Sequence, residues 1–316
     1  MLKILLALCA LSASAAMAFD LQGHRGARGL EPENTLPAFA RAIDAGVSTL
    51  EFDVGISADG AIVIAHDRRL NPDITRDAAG AWIGAPGPRL RELSLAELKR
   101  FDVGAIRPGT AYARSFAAQS ARPGTAMPTL AELVALPAAG RLRFNIETKI
   151  SPLAPDDTRA APDFARAVIA EIRRLGIADR ATLQSFDWRT LAVAAAEAPE
   201  IARAYLTTES GAGETVYRGR GVSPWTGLDI ATHGHSTPRL VAAAGGRIWS
   251  PFFRDLEARI VAEAKALGLS VIPWTVNETT DMERLLGWGI DGLITDYPDR
   301  AKALLDARGI AVRAPR

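Results

Sequence analysis

The segment Leu50-Glu51-Phe52-Asp53-Val54 sets two carboxylates two residues apart. In an extended strand, residues two apart face the same way. Glu51 and Asp53 therefore point together, while Leu50, Phe52 and Val54 face an apolar layer. Side by side, two carboxylates repel unless positive charge lies between them. A third acid, Glu147, stands in Asn145-Ile146-Glu147-Thr148-Lys149, near the end of another strand-like run. Three carboxylates suit a hard divalent cation, Mg²⁺ or Ca²⁺. Ion pairing with Arg25 and Lys149 is the alternative use for the same acids.

The chain has four histidines. His24 ends the first strand-like run, and His66 ends the run that follows the paired acids. Both can carry protons near neutral pH, which acid-base chemistry needs. Asp67 receives no chemical role. His233 and His235 form a His-x-His pair beside Gly234, ahead of Pro238. That spacing can bind metal, but no further ligand type lies nearby, so a solvated loop and helix cap is expected there.

These residues need elements to position them. Strand-like runs cover Phe19–His24, Val47–Val54, Ala61–His66, Arg141–Thr148, Ala181–Phe186, Ile201–Leu206, Arg247–Ser250, Ser270–Val276 and Gly289–Thr295. Helical runs lie between them at Thr35–Asp44, Asp163–Leu175, Trp188–Ala198, Arg239–Ala244, Asp255–Leu267, Asp281–Leu286 and Asp299–Ala307. Such alternation predicts an α/β fold with a parallel sheet covered by helices. No glycine-rich nucleotide fingerprint follows the first strand. Polar residues stand at the C-terminal ends of several strands, the layout of a (β/α)8 TIM barrel. The runs exceed the eight places of such a barrel. The short gap from Asp53 to His66 leaves no room for a crossover helix, so a hairpin-like connection is expected. Residues about 68–126 break the alternation, apart from a helical piece at Leu95–Phe101 opened by Ser94 and Glu97 as a capping box. The segment leaves directly after His66-Asp67. A subdomain inserted at the barrel mouth is favoured over a disordered surface loop.

The first 18 of the 316 residues read as a secretory signal peptide. Lys3 is the positive start, Ile4–Leu11 the apolar run, and Ala16-Met17-Ala18 the small-x-small cleavage pattern. Residues 19–316 then form a single barrel domain, exported across the inner membrane and periplasmic if the cell is Gram-negative. Cleavage removes Cys9, so the mature chain has no cysteine, and it removes Lys3, so basic residues fall from 37 to match the 36 acidic ones. An uncharged balance gives no electrostatic case for nucleic acid. No later apolar run is long enough for membrane insertion. Oligomeric state leaves no mark in the sequence.

Taken together, the motifs resemble the glycerophosphodiester phosphodiesterase family, in detail its secreted bacterial members. The resemblance rests on His24-Arg25-Gly26, Pro32-Glu33-Asn34-Thr35, Glu51-Phe52-Asp53-Val54, His66-Asp67, Pro128-Thr129-Leu130, Asn145-Ile146-Glu147-Thr148-Lys149, Gln184-Ser185-Phe186, Trp274-Thr275-Val276-Asn277 and Thr295-Asp296-Tyr297-Pro298, in that order. It implies a barrel with an insertion after the His-Asp pair. It also implies metal ligation by Glu51, Asp53 and Glu147, and an acid-base pair in His24 and His66. Arg25 and Lys149 become phosphate-binding cations, Asn34 lies near the site with Glu33 in support, and Phe186 and Trp274 wall the alcohol pocket. The implied reaction is metal-dependent hydrolysis of a small glycerophosphodiester to sn-glycerol 3-phosphate and an alcohol. A cyclic phosphate formed first by the neighbouring hydroxyl and direct attack by water both fit two-histidine chemistry. Two alternatives stand beside this reading. One is a phospholipase D-like enzyme acting on lysophospholipids, which typically carries disulfides. The other is a non-catalytic binding protein, which would tolerate loss of a histidine or an acid.

Overall fold

Burial along Thr49–Ile56 explains the architecture at its centre. Every residue of this strand is buried, as happens when a parallel sheet is covered on one face and closed on the other. Its outward side chains Leu50 and Phe52 pack under a helix; its inward ones are Glu51 and Asp53. The computed structural model describes residues 18–314 apart from Ala212. Except for Ala18, the expected signal peptide lies outside the described residues.

Among the described residues there are nine strands: β1 Asp20–His24, β2 Thr49–Ile56, β3 Ile62–Ile64, β4 Arg143–Thr148, β5 Ala181–Ser185, β6 Ala202–Thr207, β7 Ile248–Pro251, β8 Ser270–Val271 and β9 Gly292–Thr295. Eight run parallel in the order β8-β7-β6-β5-β4-β2-β1-β9. Backbone bonds between the outer pair, from Asp291 N–H to Val271 O and from Val276 N–H to Ile294 O, bring the sheet round to a nearly closed barrel. The remaining strand, β3, pairs antiparallel with β2, which is the hairpin that the short Asp53–His66 spacing requires.

One expected strand is much shorter than read from sequence. Ser270–Val276 contracts to Ser270–Val271, because Pro273 has no N–H to give a ladder. The chain still runs along the barrel, with Trp274 N–H donating to Pro251 O and Ile294 N–H to Pro273 O.

Outside the sheet, the helix Leu36–Asp44 begins at Thr35, whose hydroxyl accepts the Ala38 N–H. Its Phe39 packs edge-on against Phe52, which meets Phe144 of β4 in the same way. On the neighbouring side, the helix Ala161–Arg174 buries Phe164, Val168 and Ile172, the spacing of one helix face.

Residues 68–126 carry only short helical pieces, Leu95–Leu98 and Ala111–Ser115 among them. They build a second, smaller apolar cluster, in which Leu70, Leu90 and Leu98 surround Val63 of β3 and Met127. Arg122 makes two bonds to Glu31, Gln119 donates to Arg28 O, and the Tyr112 hydroxyl donates to Glu33. The segment thus rests on the β2–β3 hairpin and on the loop that follows β1.

Candidate active site

Strand register assembles the reactive groups. His24 on β1 is paired with Glu51 on β2, Asp53 on β2 with Glu147 on β4, and Glu147 with Gln184 on β5. Each pair is a lateral neighbour near the C-terminal rim, so acids distant in sequence become adjacent. One carboxylate oxygen from each of Glu51, Asp53 and Glu147 lies within 4.8 Å of the others. These residues are 2, 1 and 7 % exposed. His233 and His235 are not part of this group; His233 ends a short 3-10 turn, and His235 accepts from Arg218 through its backbone.

The loop after β1 folds tightly over the acids. Arg25 takes a left-handed backbone (φ 49°) and its N–H donates to Glu51 Oε2 at 3.0 Å. Gly26 follows at φ 85°, and a β-carbon there would fall 2.6 Å from Ala38 of the covering helix. Only glycine suits that combination. The Arg25 side chain lies 2.9 Å from Glu33 and 3.3 Å from Asp53. Lys149 lies 2.7 Å from Glu147 and 3.6 Å from Asp53.

Charge is unevenly shared in this cluster. Burial pushes the Glu51 carboxyl well above its ordinary range, and repulsion from Asp53 and Glu147 adds to that. Burial likewise lifts Glu147 to about 7, although Lys149 opposes it. Burial also works against ionisation of Asp53, but Lys149, Arg25 and His66 outweigh it and hold that carboxyl below its usual range. Three buried carboxylates with two strained towards protonation are a fitting donor set for a divalent cation, which would relieve that strain.

The histidines are built alike. His24 Nδ1 bonds to Asp296 Oδ1 at 2.7 Å, and His66 Nδ1 to Asp67 Oδ1 at 2.8 Å. In each ring Nε2 is left for the cavity. Asp296 sits just beyond β9 and also accepts from Arg28 twice and from Asn277. Burial lowers His24 to about 3, with Arg28 adding to the effect and Asp296 opposing it. Burial, Arg25 and Lys149 lower His66 too. Burial thus favours the neutral form of both rings, while their aspartates oppose it.

Around these groups is a cavity of about 160 Å³, lined by His24, Arg25, Glu51, His66, Glu147 and Lys149 at its base and by Phe186 and Trp274 at its side. The two aromatic rings meet edge-on at 5.3 Å. Asp53 and Asn34 do not line this cavity. Asn34 instead donates to Asp53 Oδ2 at 3.0 Å from behind, with a left-handed backbone of its own (φ 56°). Sequence reasoning passed over Asp67, Asp296, Arg28 and Gln184 as participants. Asp67, Asp296 and Gln184 lay inside the quoted motifs, but nothing in their spacing marks an aspartate as the partner of a histidine 272 positions away.

The sequence profile of the Glycerophosphoryl diester phosphodiesterase family matches residues 24–300. The chain belongs to that family. A glycerophosphodiester phosphodiesterase from Caldanaerobacter subterraneus is 28 % identical over 276 residues, 87 % of this chain and 93 % of the relative. A solved structure from Silicibacter pomeroyi, provisionally named as a member, is 37 % identical with a TM-score of 0.82, covering 94 % of this chain and 96 % of that one. An Oleispira antarctica phosphodiesterase, solved with the product sn-glycerol-3-phosphate, shares the fold at a TM-score of 0.66 and 23 % identity, over 92 % of this chain and 97 % of that one. Family membership is thus shown along the barrel from His24 onward, and the fold is the (β/α)8 barrel expected.

Proposed function

We propose that the protein hydrolyses glycerophosphodiesters to sn-glycerol 3-phosphate and an alcohol. It would do so with His24 and His66 as acid and base, beside a Ca²⁺ or Mg²⁺ ion held by Glu51, Asp53 and Glu147. The observation that carries this is the pair of histidine–aspartate dyads opening on one cavity above three buried carboxylates. When bound, the cation would supply charge stabilisation to the phosphoryl oxygens. Arg25 and Lys149 add fixed positive charge at the same end of the cavity, where negative charge grows as a fifth oxygen approaches phosphorus. Asp67 and Asp296 fix which ring nitrogen faces the substrate. One ring, neutral with Nε2 bare, takes the proton of the attacking oxygen; the other, protonated at both nitrogens beside its aspartate, gives its Nε2 proton to the departing alkoxide, and exchange with solvent restores the pair. Phe186 and Trp274 form the wall against which the alcohol rests.

The test is turnover of glycerophosphocholine by protein stripped with chelator and then reloaded. The reading requires activity to vanish and return, with glycerol 3-phosphate and choline as products. Among the described residues, no helix is long and apolar enough to cross a membrane. The exposed large hydrophobics are Leu153, Val222 and Leu267, which come from three separate parts of the chain. Export to the periplasm after cleavage at Ala18 belongs to the same proposal, and the N-terminal residue of the mature protein tests it.

A further inference from the structure

Beneath the metal-binding acids, the barrel interior holds a row of side-chain hydrogen bonds. Gln184 Nε2 donates to Glu51 Oε1 at 2.6 Å. Gln184 Oε1 accepts from Asn145 Nδ2 at 2.9 Å, and the same Nδ2 donates to Gln22 Oε1 at 2.7 Å. Gln22 Nε2 then donates to Asp20 Oδ2 at 3.0 Å. Hydroxyls of Thr49 and Ser48 close on the other Asp20 oxygen. All five members from Glu51 to Asp20 are buried, where the interior of such barrels is usually filled by branched apolar side chains.

The direction of this row is constrained by its ends. Glu51 and Asp20 are both carboxylates, and an ionised carboxylate only accepts. A row of amides between two acceptors must contain one member that donates to both sides. Asn145 is that member. Both of its N–H protons are spent on its neighbours, and its Oδ1 is buried with no partner. An unsatisfied buried carbonyl is normally avoided. Here it follows from the demand that both ends be met by an N–H.

We propose that Asn145 is a positioning residue for the metal centre: as the double donor of the row, it turns Gln184 so that an N–H, and not a carbonyl, faces Glu51. This rests on the reading of Glu51 as a cation ligand. Asn145 touches neither cation nor substrate; it acts through Gln184. Turning the Gln184 amide over would set a carbonyl oxygen against the Glu51 carboxylate and drive that ligand from its place.

Asn145→Asp tests the idea with almost no change of shape. A carboxylate at 145 sets an acceptor against Gln184 Oε1, so Gln184 is drawn to turn its NH₂ from Glu51 towards residue 145 or to share it between the two acids, and either way the bond that holds Glu51 weakens. Calcium chloride and magnesium chloride would be titrated by calorimetry into chelator-stripped protein. We expect affinity to fall about 10- to 100-fold, the range for partners that orient a metal ligand. Simple Coulomb attraction predicts the opposite sign, since a new buried carboxylate near a cation site should tighten binding. In a Gln184→Leu background the row is cut, and Asn145→Asp should no longer weaken binding. Binding by Asn145→Asp at or above the parent's affinity, or equal weakening with Leu at 184, overturns the proposal. If the stripped parent takes up neither ion, the metal reading and this one fall together. Should Asn145→Asp not fold, the parent itself is tested by ¹⁵N-asparagine labelling. Both Nδ2 protons of Asn145 should be protected from exchange, and rapid exchange of either one overturns the double-donor assignment.

Discussion

Asp296 Oδ1 lies 2.7 Å from His24 Nδ1 and accepts Arg28 Nε at 2.8 Å. One buried carboxylate oxygen therefore ties an imidazole to a guanidinium. The anion holds the ring with Nε2 towards the cavity, and the guanidinium keeps the anion ionised. Burial opposes that ionisation, but Arg28 and His24 outweigh it, and Asp296 stays charged well below its ordinary value.

The two dyads should respond unequally to loss of charge. Asp296 is 1 % exposed and Asp67 39 %. Asp296→Asn would let an amide N–H face His24 Nδ1 and move the ring proton to Nε2, the wrong tautomer for a base. A buried orienting aspartate elsewhere is worth about 10⁴ in kcat when so altered, so a drop of roughly 10²–10⁴ is expected. Water can take over part of the role of Asp67, and Asp67→Asn should cost distinctly less. Equal losses in steady-state assays would mean that burial does not rank these two residues.

His24→Ala and His66→Ala should each reduce turnover by roughly a hundredfold or more, while calcium affinity is largely kept. A diester with a highly acidic leaving group needs no proton on departure. It should rescue the variant lacking the acid and leave the other impaired. Equal rescue of both, or loss of the ion from both, would rule out the acid and base assignment.

Metal removal should give stability a defined pH dependence. Glu147 has a folded value of about 7 against 4.5 ordinarily. The folded, metal-free protein therefore holds a proton that the unfolded chain has released between those values. Its stabilising contribution is complete below about 4.5 and is lost as pH rises through about 7. Glu51, raised for the same reason, acts in the same direction. His24, lowered to about 3, has the opposite sign in the metal-free protein, destabilising the fold as pH falls from 6.5. The gap in Tm between calcium-loaded and chelated protein isolates the carboxylates. It should widen from about pH 5 to about pH 8, each kcal/mol being worth roughly 2–4 °C. A constant or narrowing gap would exclude these acids as the ion's ligands. Glu51→Gln should shrink the gap and lose turnover with the fold intact.

Tyr112 tests the contact between residues 68–126 and the site. Its hydroxyl donates to Glu33, which pairs with Arg25. Tyr112→Phe should loosen Arg25 and raise KM for glycerophosphocholine several-fold while kcat changes little. Deleting residues 68–126 would be a harsher experiment, because Leu90 and Leu98 cover Val63 of the barrel hairpin. Unchanged kinetics on every diester tried with Tyr112→Phe would show that this contact does not govern the site.

What could be read from sequence was what repeats locally. The two-residue spacing of Glu51 and Asp53 gave a shared face, and Ser94 with Glu97 gave a helix start that the structure repeats as a capping box. Glu51, Glu147, both histidines, Arg25, Lys149, Phe186 and Trp274 do converge on one cavity, with Asp53 beside the other two acids but outside its lining. What stayed hidden depends on closure of the barrel. Asp296 reaches His24 only because β9 pairs with β1, and Gln184 reaches Glu51 only because β5 and β2 flank β4. Asn34 shows the limit of motif reading: it is at the site, but behind Asp53 and away from the cavity.

The contacts of Arg122, Gln119 and Tyr112 with Glu31, Arg28 and Glu33 fasten one bank of the mouth to the loop that carries Arg25. A lid hinged on that bank could not lift without dragging the Arg25 loop with it. On the proposed reading, a diester would pass instead beside Phe186 and Trp274, which line the same cavity. On the proposed reading, departure of the alcohol and entry of the next diester would share that one doorway.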